Sequence, residues 1–335
     1  MLPANPIFTK CLEKTENTDK ILETIKIEYN KDFVFKQKNS LFYFEPVCKR
    51  FSYIVAFDLD WTLVYNEKHL FPKEIDDIQI FPNRREILEK IIKLGYTIVI
   101  FTNQYAKSKK EKINKVERIV TFLKKLNLPI FVYIATDKDE YRKPNIGMWD
   151  MFIKGHKIDK LIFVGDALGR SGDFSDSDKV FGENIIADKI YSPEEFFGES
   201  PEIKFKKEKE IVIFVGMPGS WKSSYYKKYL SDHVHIEQDK LKTRKKVLNM
   251  LEIFLNTGES IVIDSTNPSQ ENREEYYRLA KEHNYSVKVL YFLRNGTGYN
   301  KLRENPVPDI VYHIYFKKLT PPTKENTPGE VHYIY

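Results

Sequence analysis

The stretch Phe57-Asp58-Leu59-Asp60-Trp61-Thr62-Leu63 decides how this chain is interpreted, because two carboxylates follow a short apolar segment. That segment, residues 53–56, has the β-branched and aromatic composition of a buried strand. Alternate residues of a strand share a face, so Asp58 and Asp60 are expected to point the same way. Like charges this close repel unless a cation or a proton lies between them. The pattern predicts a Mg²⁺ site with carboxylates able to attack phosphorus or move a proton, or else a strand end with solvated acids.

Composition limits the class of protein. The 335 residues suffice for about two domains, and 41% hydrophobic with 30% charged residues are typical of a globular protein with sizeable cores. The net charge of +6 permits a polyanionic partner without demanding one. Two cysteines cannot form a disulfide framework. With no secretory signal and no apolar run of about 18 residues, we expect no membrane association and a nuclear or cytoplasmic location.

Strand and helix patterns alternate after residue 52. Apolar strands are predicted at residues 97–101, 130–134 and 161–164, separated by amphipathic helices at 83–92 and 108–126 and a helix from about Gly147. This alternation indicates an α/β fold with a parallel sheet between helical layers. Asp58, Thr102 and Asp166 each follow or end an apolar strand. They should reach the same edge of the sheet, where such folds bind ligands.

Four short motifs in this region resemble those of the haloacid dehalogenase superfamily of phosphatases. They are Asp58-x-Asp60-x-Thr62, Thr102-Asn103, Lys143-Pro144 and Gly165-Asp166, in that order. The resemblance implies that Asp58 is a nucleophile forming an aspartyl-phosphate and that Asp60 is the acid and then the base. It implies that Thr102 binds a phosphoryl oxygen and that Lys143 neutralises charge. The Mg²⁺ ligands it implies are Asp58, Asp60 and Asp166.

Two features near these motifs leave alternatives open. The superfamily often has glycine before Thr62, where this chain has Trp61, a position that varies. The loop after Asp166 carries further aspartates, including Asp173, Asp176 and Asp178. These either enrich the metal site or form a solvated acidic loop.

A second unit opens with the buried strand 211–215 and the stretch Gly216-Met217-Pro218-Gly219-Ser220-Trp221-Lys222-Ser223-Ser224. This resembles the phosphate-binding loop G-x-x-x-x-G-K-[ST], with Trp221 in place of the second glycine. Backbone amides can cradle phosphates, Lys222 can reach the β- and γ-phosphates of ATP, and Ser223 can bind Mg²⁺. Trp221 either points outward and is tolerated or impairs the loop. The alternative is a strand–turn–helix without a ligand. The predicted cofactor-binding residues of the loop are Gly216, Pro218, Gly219, Ser220, Lys222, Ser223 and Ser224.

A phosphatase of this superfamily followed by a small P-loop kinase is similar to the polynucleotide kinase 3′-phosphatases of metazoans and viruses. Segments 163–170, 264–268, 308–311 and 321–323 look like that family's own, so the resemblance covers about residues 50–330. It implies that Asp239 is the base for a 5′-hydroxyl and that Arg303 binds the phosphates of ATP. An exposed helix charge is the alternative for Arg303. Too few residues precede the first unit for the family's forkhead-associated domain, so we expect no scaffold recruitment through one.

We therefore predict a monomeric DNA end-healing enzyme that uses Mg²⁺ and ATP. The predicted domains are an N-terminal extension packed on the phosphatase (1–48), the 3′-phosphatase (49–200), a linker (201–209) and the 5′-kinase (210–335). The alternatives are an enzyme of RNA or tRNA ends, an enzyme of small metabolites, and a 3′-phosphatase whose kinase half only binds nucleic acid. In each case that involves nucleic acid, basic and aromatic side chains would bind the nucleic-acid strand.

Overall fold

The computed structural model describes residues 33–68, 74–198 and 203–334. Within these residues the chain forms two compact units, one containing residues 33–66 and 74–198 and the other mainly residues 203–334. Residues 1–32 of the predicted extension and 201–202 of the predicted linker lie outside the described residues. The division between the units falls after Gly198.

The first unit contains a mostly parallel seven-stranded sheet and a separate two-stranded sheet. The strands are β1 (Lys36–Lys38), β2 (Leu41–Phe44), β3 (Tyr53–Phe57), β4 (Val64–Tyr65), β5 (Gln79–Ile80), β6 (Thr97–Asn103), β7 (Ile130–Ala135), β8 (Lys160–Val164) and β9 (Lys189–Tyr191). The large sheet has the order β1-β2-β7-β6-β3-β8-β9. The strands β7, β6, β3, β8 and β9 are parallel to one another, whereas β2 pairs antiparallel with both β7 and β1. Strand β3 therefore lies between β6 and β8.

Both faces of this sheet are covered by apolar side chains. Val55 and Phe57 belong to one hydrophobic cluster, and their neighbours Ile54 and Ala56 belong to a second. This is the alternation expected of a strand buried on both sides. The helices supplying the two covers are Arg84–Lys93, Lys109–Leu126 and Pro193–Phe197 on one face and Gly147–Ile153 and Ser177–Asn184 on the other.

The long helix of this unit begins where the sequence predicts. Ser108 accepts a hydrogen bond from the Glu111 backbone, and the Glu111 side chain accepts one from the Ser108 backbone, which completes a capping box. The helix predicted at residues 83–92 begins at Arg84 instead, because Asn83 takes a left-handed conformation with φ 65° and makes no side-chain cap. Gly95, at φ 83°, follows that helix as expected.

The second unit has a five-stranded sheet in which every pair is parallel. Its strands are β10 (Glu210–Val215), β11 (Val234–Glu237), β12 (Ile261–Asp264), β13 (Ser286–Phe292) and β14 (Glu330–Ile334), in the order β11-β12-β10-β13-β14. Its helices are Lys222–Tyr229, Gln238–Leu241, Arg244–Leu255, Gln270–Glu282, Thr297–Lys301 and Asp309–Lys318. The predicted α/β class with parallel sheets is confirmed. No helix in the described ranges is both long and apolar enough to cross a bilayer.

Candidate active sites

The first candidate site lies at the carboxyl ends of β3, β6 and β8. Because these strands are parallel neighbours, the residues that end them meet at one edge. The Asp58 backbone N–H donates to the Val164 carbonyl at 2.8 Å, which fixes the end of β3 against β8. Asp58 and Thr102 are buried and Asp166 is half-buried. The sequence-based expectation that all three reach one edge agrees with this geometry.

Lys143 joins this edge from a loop that follows β7. Its Nζ lies 2.6 Å from Asp58 Oδ1 and 2.6 Å from Asp178 Oδ1. The Asn103 side chain holds the Lys143 backbone on both sides, accepting from its N–H at 2.9 Å and donating to its carbonyl at 3.1 Å. Burial alone would lower the pKa of Lys143, but the carboxylates of Asp178 and Asp58 outweigh it and raise that pKa. Lys143 is therefore held as a cation beside two carboxylates.

Three carboxylates converge beside Lys143. Oxygen atoms of Asp58, Asp166 and Asp178 all lie within 4.8 Å of one another. The Ala167 N–H donates to Asp178 Oδ2 at 3.1 Å, and a Cβ at position 165 would lie 2.5 Å from that oxygen. Gly165 is thus required for the close approach of Asp178 to the strand end. Among the loop aspartates, Asp178 enriches the cluster, whereas Asp173 instead pairs with Arg170 at 2.9 Å.

This cluster fits a hard divalent cation. Burial, and then the charges of Asp58 and Asp178, raise the pKa of Asp166 well above its ordinary value. Burial is also the main cause that raises the pKa of Asp58 to about 7, with the Asp178 charge adding and Lys143 opposing. Carboxylate oxygens are the ligands Mg²⁺ prefers, and a cation here would stabilise the ionised forms of these buried carboxyls and offset the repulsion between them.

Asp60 faces a different set of partners. Its Oδ1 lies 2.6 Å from Arg118 Nη2, and its Oδ2 accepts a hydrogen bond from Gln104 Nε2 at 2.5 Å. Burial would raise the pKa of Asp60, but the Arg118 charge and the hydrogen bonds from Arg118 and Gln104 lower it overall. The Asp60 side chain thus lies outside the carboxylate triad, and its predicted part in metal binding stays a prediction.

The turn after β3 shows why glycine is common before Thr62. Trp61 has φ 62°, a left-handed conformation that favours glycine. The turn is closed by hydrogen bonds from the Leu63 and Val64 N–H groups to the Leu59 carbonyl, at 2.9 and 3.1 Å. The chain therefore accepts a bulky residue at a position with an unfavourable backbone conformation.

The second candidate site is the loop between β10 and the helix Lys222–Tyr229. The buried Lys222 Nζ donates to the carbonyls of Gly216 and Met217 at 3.0 and 2.7 Å. Burial lowers the pKa of Lys222 to about 8. Gly219 has φ 77°, and a Cβ there would lie 2.2 Å from the Gly296 carbonyl oxygen. This curled loop at a helix start, with a lysine that lacks a full counter-charge, has the form of a phosphate cradle.

Trp221 takes the backbone conformation of the glycine it replaces. It has φ 76° and ψ 7° and directly precedes the helix. Its indole ring packs against the apolar cluster of the unit, edge-on to Tyr225 with ring centroids 5.9 Å apart. The guanidinium of Arg294 lies over the indole ring of Trp221, 5.5 Å from the ring centre. The side chain is thus accommodated by packing on the core of its own unit.

Other predicted residues of the second unit also lie near one another. Arg303 Nη2 lies 3.0 Å from Asp239 Oδ2, and both side chains are exposed. Asp264, at the end of β12, is buried and lies 3.1 Å from His235 Nε2. Of the nearby charges that raise the pKa of Lys222 against burial, Asp264 is the largest and Asp239 follows. Ser223 and Ser224 are exposed in the first turn of the helix that starts at Lys222.

Sequence reasoning missed three residues of these sites, Gln104, Arg118 and Asp264, and left open whether the loop aspartates, Asp178 among them, join the metal site. Gln104 directly follows the Thr102-Asn103 motif, and Asp264 ends an apolar strand, so both carried a local signal. Arg118 lies 58 residues beyond Asp60 in a helix, where no spacing rule points to it. Asp178 stood in the acidic loop with nothing to distinguish it from its neighbours.

Comparison with known proteins identifies the family of both units. Residues 53–197 match the family model of the polynucleotide kinase 3 phosphatase, and residues 211–295 match an AAA domain model. A bifunctional polynucleotide phosphatase/kinase of Schizosaccharomyces pombe is 30% identical over 83% of this chain and 78% of its own length. A polynucleotide phosphatase/kinase of Acanthamoeba polyphaga mimivirus is 31% identical over 81% of this chain and 82% of its own. This chain therefore belongs to the family of bifunctional polynucleotide phosphatase/kinases, with the phosphatase in the first unit and the kinase in the second.

Proposed function

We propose that this enzyme heals DNA ends by removing 3′-phosphates through an aspartyl-phosphate and by phosphorylating 5′-hydroxyls with ATP. The observation that carries the proposal is the buried Lys143, which lies 2.6 Å from Asp58 and from Asp178 beside the triad completed by Asp166. A nucleophilic carboxylate, a fixed cation and a cluster of oxygen ligands are what phosphoryl transfer needs.

In the first half-reaction, an Asp58 oxygen attacks phosphorus and the P–O3′ bond breaks. The electron pair goes to O3′, which takes a proton from the Asp60 carboxyl. Thr102 donates a hydrogen bond to a phosphoryl oxygen, and Lys143 balances the negative charge. Asp58, Asp166 and Asp178 would hold Mg²⁺, which would supply further charge neutralisation at the phosphoryl oxygens.

In the second half-reaction, water attacks the phosphorus of the aspartyl-phosphate and gives up a proton to the Asp60 carboxylate. The bond between Asp58 and phosphorus breaks, and inorganic phosphate leaves. Burial would raise the pKa of Asp60, but Arg118 and Gln104 lower it overall, which favours the ionised form that accepts this proton. The proton gained here is the one that Asp60 gives to O3′ in the next turnover.

In the kinase half, the loop residues 216–224 would cradle the phosphates of ATP, with Lys222 on the β- and γ-phosphates and Ser223 as the metal ligand. Asp239 takes the proton of the 5′-hydroxyl, whose oxygen attacks the γ-phosphorus while ADP leaves. The Arg303–Asp239 pair is exposed, so it is worth about 0–1 kcal/mol and can open at little cost. Arg303 is then free to bind ATP phosphates.

A cleft lined in part by Arg118, the ion-pair partner of Asp60, favours a nucleic-acid strand over a small metabolite. It has a volume of about 270 Å³, and its lining carries charges of both signs: Lys115 and Arg118 with Tyr105, and also Glu74 and Glu111. Tyr105 is 43% exposed, and Lys138 Nζ lies 5.4 Å from its ring centre. An exposed aromatic ring with lysines around it can stack a base and attract a phosphodiester.

The test compares oligonucleotides of one sequence, made as DNA and as RNA, with a 3′-phosphate. We expect release of phosphate from DNA by the wild type and none by Asp58→Asn. Acid-quenched wild-type enzyme should carry a phosphoryl group on the peptide containing Asp58. Release of phosphate from the RNA oligonucleotide alone would show that the substrate is an RNA end and not a DNA end. Turnover with no phosphorylated Asp58 peptide would overturn the covalent step.

A further inference from the structure

Arg118 is a buried arginine whose guanidinium is fixed from three directions. Its Nη2 lies 2.6 Å from Asp60 Oδ1 and 3.0 Å from Asn66 Oδ1, and its Nε lies 3.3 Å from the Asp77 carbonyl. The residue is 1% exposed. Because the planar guanidinium donates in fixed directions, these partners determine where its hydrogen bond to Asp60 points.

Gln104 fixes the other oxygen of the same carboxyl. Its Nε2 donates to Asp60 Oδ2 at 2.5 Å and to Thr102 Oγ1 at 2.8 Å. Gln104 is buried, whereas 27% of the Asp60 side chain is exposed. The partly exposed carboxyl is thus held by two buried donors rather than by solvent alone.

We propose that Arg118 and Gln104 are positioning residues that fix the Asp60 carboxyl for proton transfer. A carboxyl held at both oxygens keeps one orientation, whereas an exposed carboxyl without these donors would rotate. Both donors leave lone pairs on each oxygen for O3′ and for water. Gln104 also links this carboxyl to Thr102, so the proton-transfer group and the phosphoryl-binding hydroxyl keep a fixed spacing.

This inference rests on the proposed phosphatase function, and leaving-group chemistry separates it from a purely structural role. The O3′ of a nucleotide is a poor leaving group and needs a proton as the P–O3′ bond breaks. The aryl oxygen of p-nitrophenyl phosphate is a good leaving group and leaves without one. Loss of Asp60 orientation should therefore slow release from a 3′-phosphorylated oligonucleotide far more than release of p-nitrophenol.

The experiment measures the first turnover with enzyme in excess, using both substrates and the full chain. The variants are Arg118→Met and Gln104→Met, which keep volume and remove the donors, and Arg118→Lys, which keeps the charge. Lys124→Met, on the exposed side of the same helix, is the matched control. We expect each donor variant to lose about 10- to 100-fold on the oligonucleotide and less than a few-fold on p-nitrophenyl phosphate. Arg118→Lys should recover part of the loss.

The second arm repeats the substitutions in an Asp60→Asn background. If Arg118 and Gln104 act through Asp60, their further effect there is close to nil. Equal losses on both substrates, or undiminished losses in the Asp60→Asn background, would overturn the proposal. Retained release of p-nitrophenol reports that the phosphatase unit of each variant is folded, and Gln104→Met serves if Arg118→Met does not fold. A wild type that hydrolyses p-nitrophenyl phosphate but no 3′-phosphate would overturn the proposed function, and alkyl phosphates would then replace the oligonucleotide.

Discussion

The central lysines of the two candidate sites have pKa values shifted in opposite directions. Lys143 of the phosphatase contacts two carboxylates, and the pKa of its ammonium is raised despite burial. Lys222 of the kinase contacts neutral carbonyls, and burial lowers its pKa to about 8. The phosphatase site therefore supplies its own counter-charges, whereas under the proposed function the phosphates of ATP would supply them in the kinase site. The difference fits the proposed mechanism, in which the nucleophile is part of the protein in the phosphatase site and part of the substrate in the kinase site.

The largest expected effect is on the phosphatase unit. Lys143→Met leaves Asp58 and Asp178 buried without their cation, so we expect the unit to lose about 3–5 kcal/mol of stability along with its activity. Amide hydrogen exchange of β3 and β8, measured in EDTA, would show this as lost protection. Lys124→Met should leave protection unchanged. Unaltered protection in Lys143→Met would mean that the ion pairs contribute little.

The matching substitution in the kinase, Lys222→Met, should make its unit more stable. Lys222→Met removes a buried ammonium that lacks a full counter-charge and keeps the side-chain volume. Because the pKa falls from 10.5 to about 8, folding of the charged form costs up to about 3 kcal/mol below pH 8. We expect the variant to abolish kinase activity while hydrogen exchange of β10 becomes slower. Faster exchange of β10 would contradict this difference between the two lysines.

The same pKa sets the pH dependence of nucleotide binding. Below about pH 8 the free protein already carries the Lys222 ammonium, so binding of phosphates needs no proton. Above it, binding must take up a proton, and affinity should fall about tenfold per pH unit. Titration calorimetry of ATP in EDTA from pH 7 to 9.5 measures this. Lys222→Arg, which stays charged, is the control and should show no such decline; a flat profile in the wild type would refute the prediction.

A smaller effect concerns the two tryptophans with left-handed backbones. Trp61 has φ 62° in the phosphatase, and Trp221 has φ 76° in the kinase. At each position, glycine should be more stable than alanine by about 1 kcal/mol, because both lose the indole but only alanine keeps the backbone penalty. At the exposed helical residue Lys227, alanine should be the more stable. Chemical unfolding of the variant pairs gives the sign, and alanine ahead of glycine at Trp221 would show that the loop relaxes.

The residues that could be placed best from the sequence are those at the ends of parallel strands. Asp58, Thr102 and Asp166 end neighbouring strands, so the topology alone brings them together. The side chains that tune them could not be predicted in this way. Arg118 comes from a helix that packs on one face of the sheet, and its contact with Asp60 depends on the packing of that whole helix. The fit of Trp221 depends on a single backbone angle and on the space beside Tyr225, neither of which a motif records.

The most direct test uses one gapped DNA duplex that carries a 3′-phosphate and a 5′-hydroxyl. Wild type, Asp58→Asn and Lys222→Met are each given this duplex with Mg²⁺ and γ-labelled ATP. The account predicts that Asp58→Asn loses only removal of the 3′-phosphate and that Lys222→Met loses only labelling of the 5′ end. Loss of both activities in either variant, or labelling that survives in Lys222→Met, would contradict the assignment of two independent active sites with these two central residues.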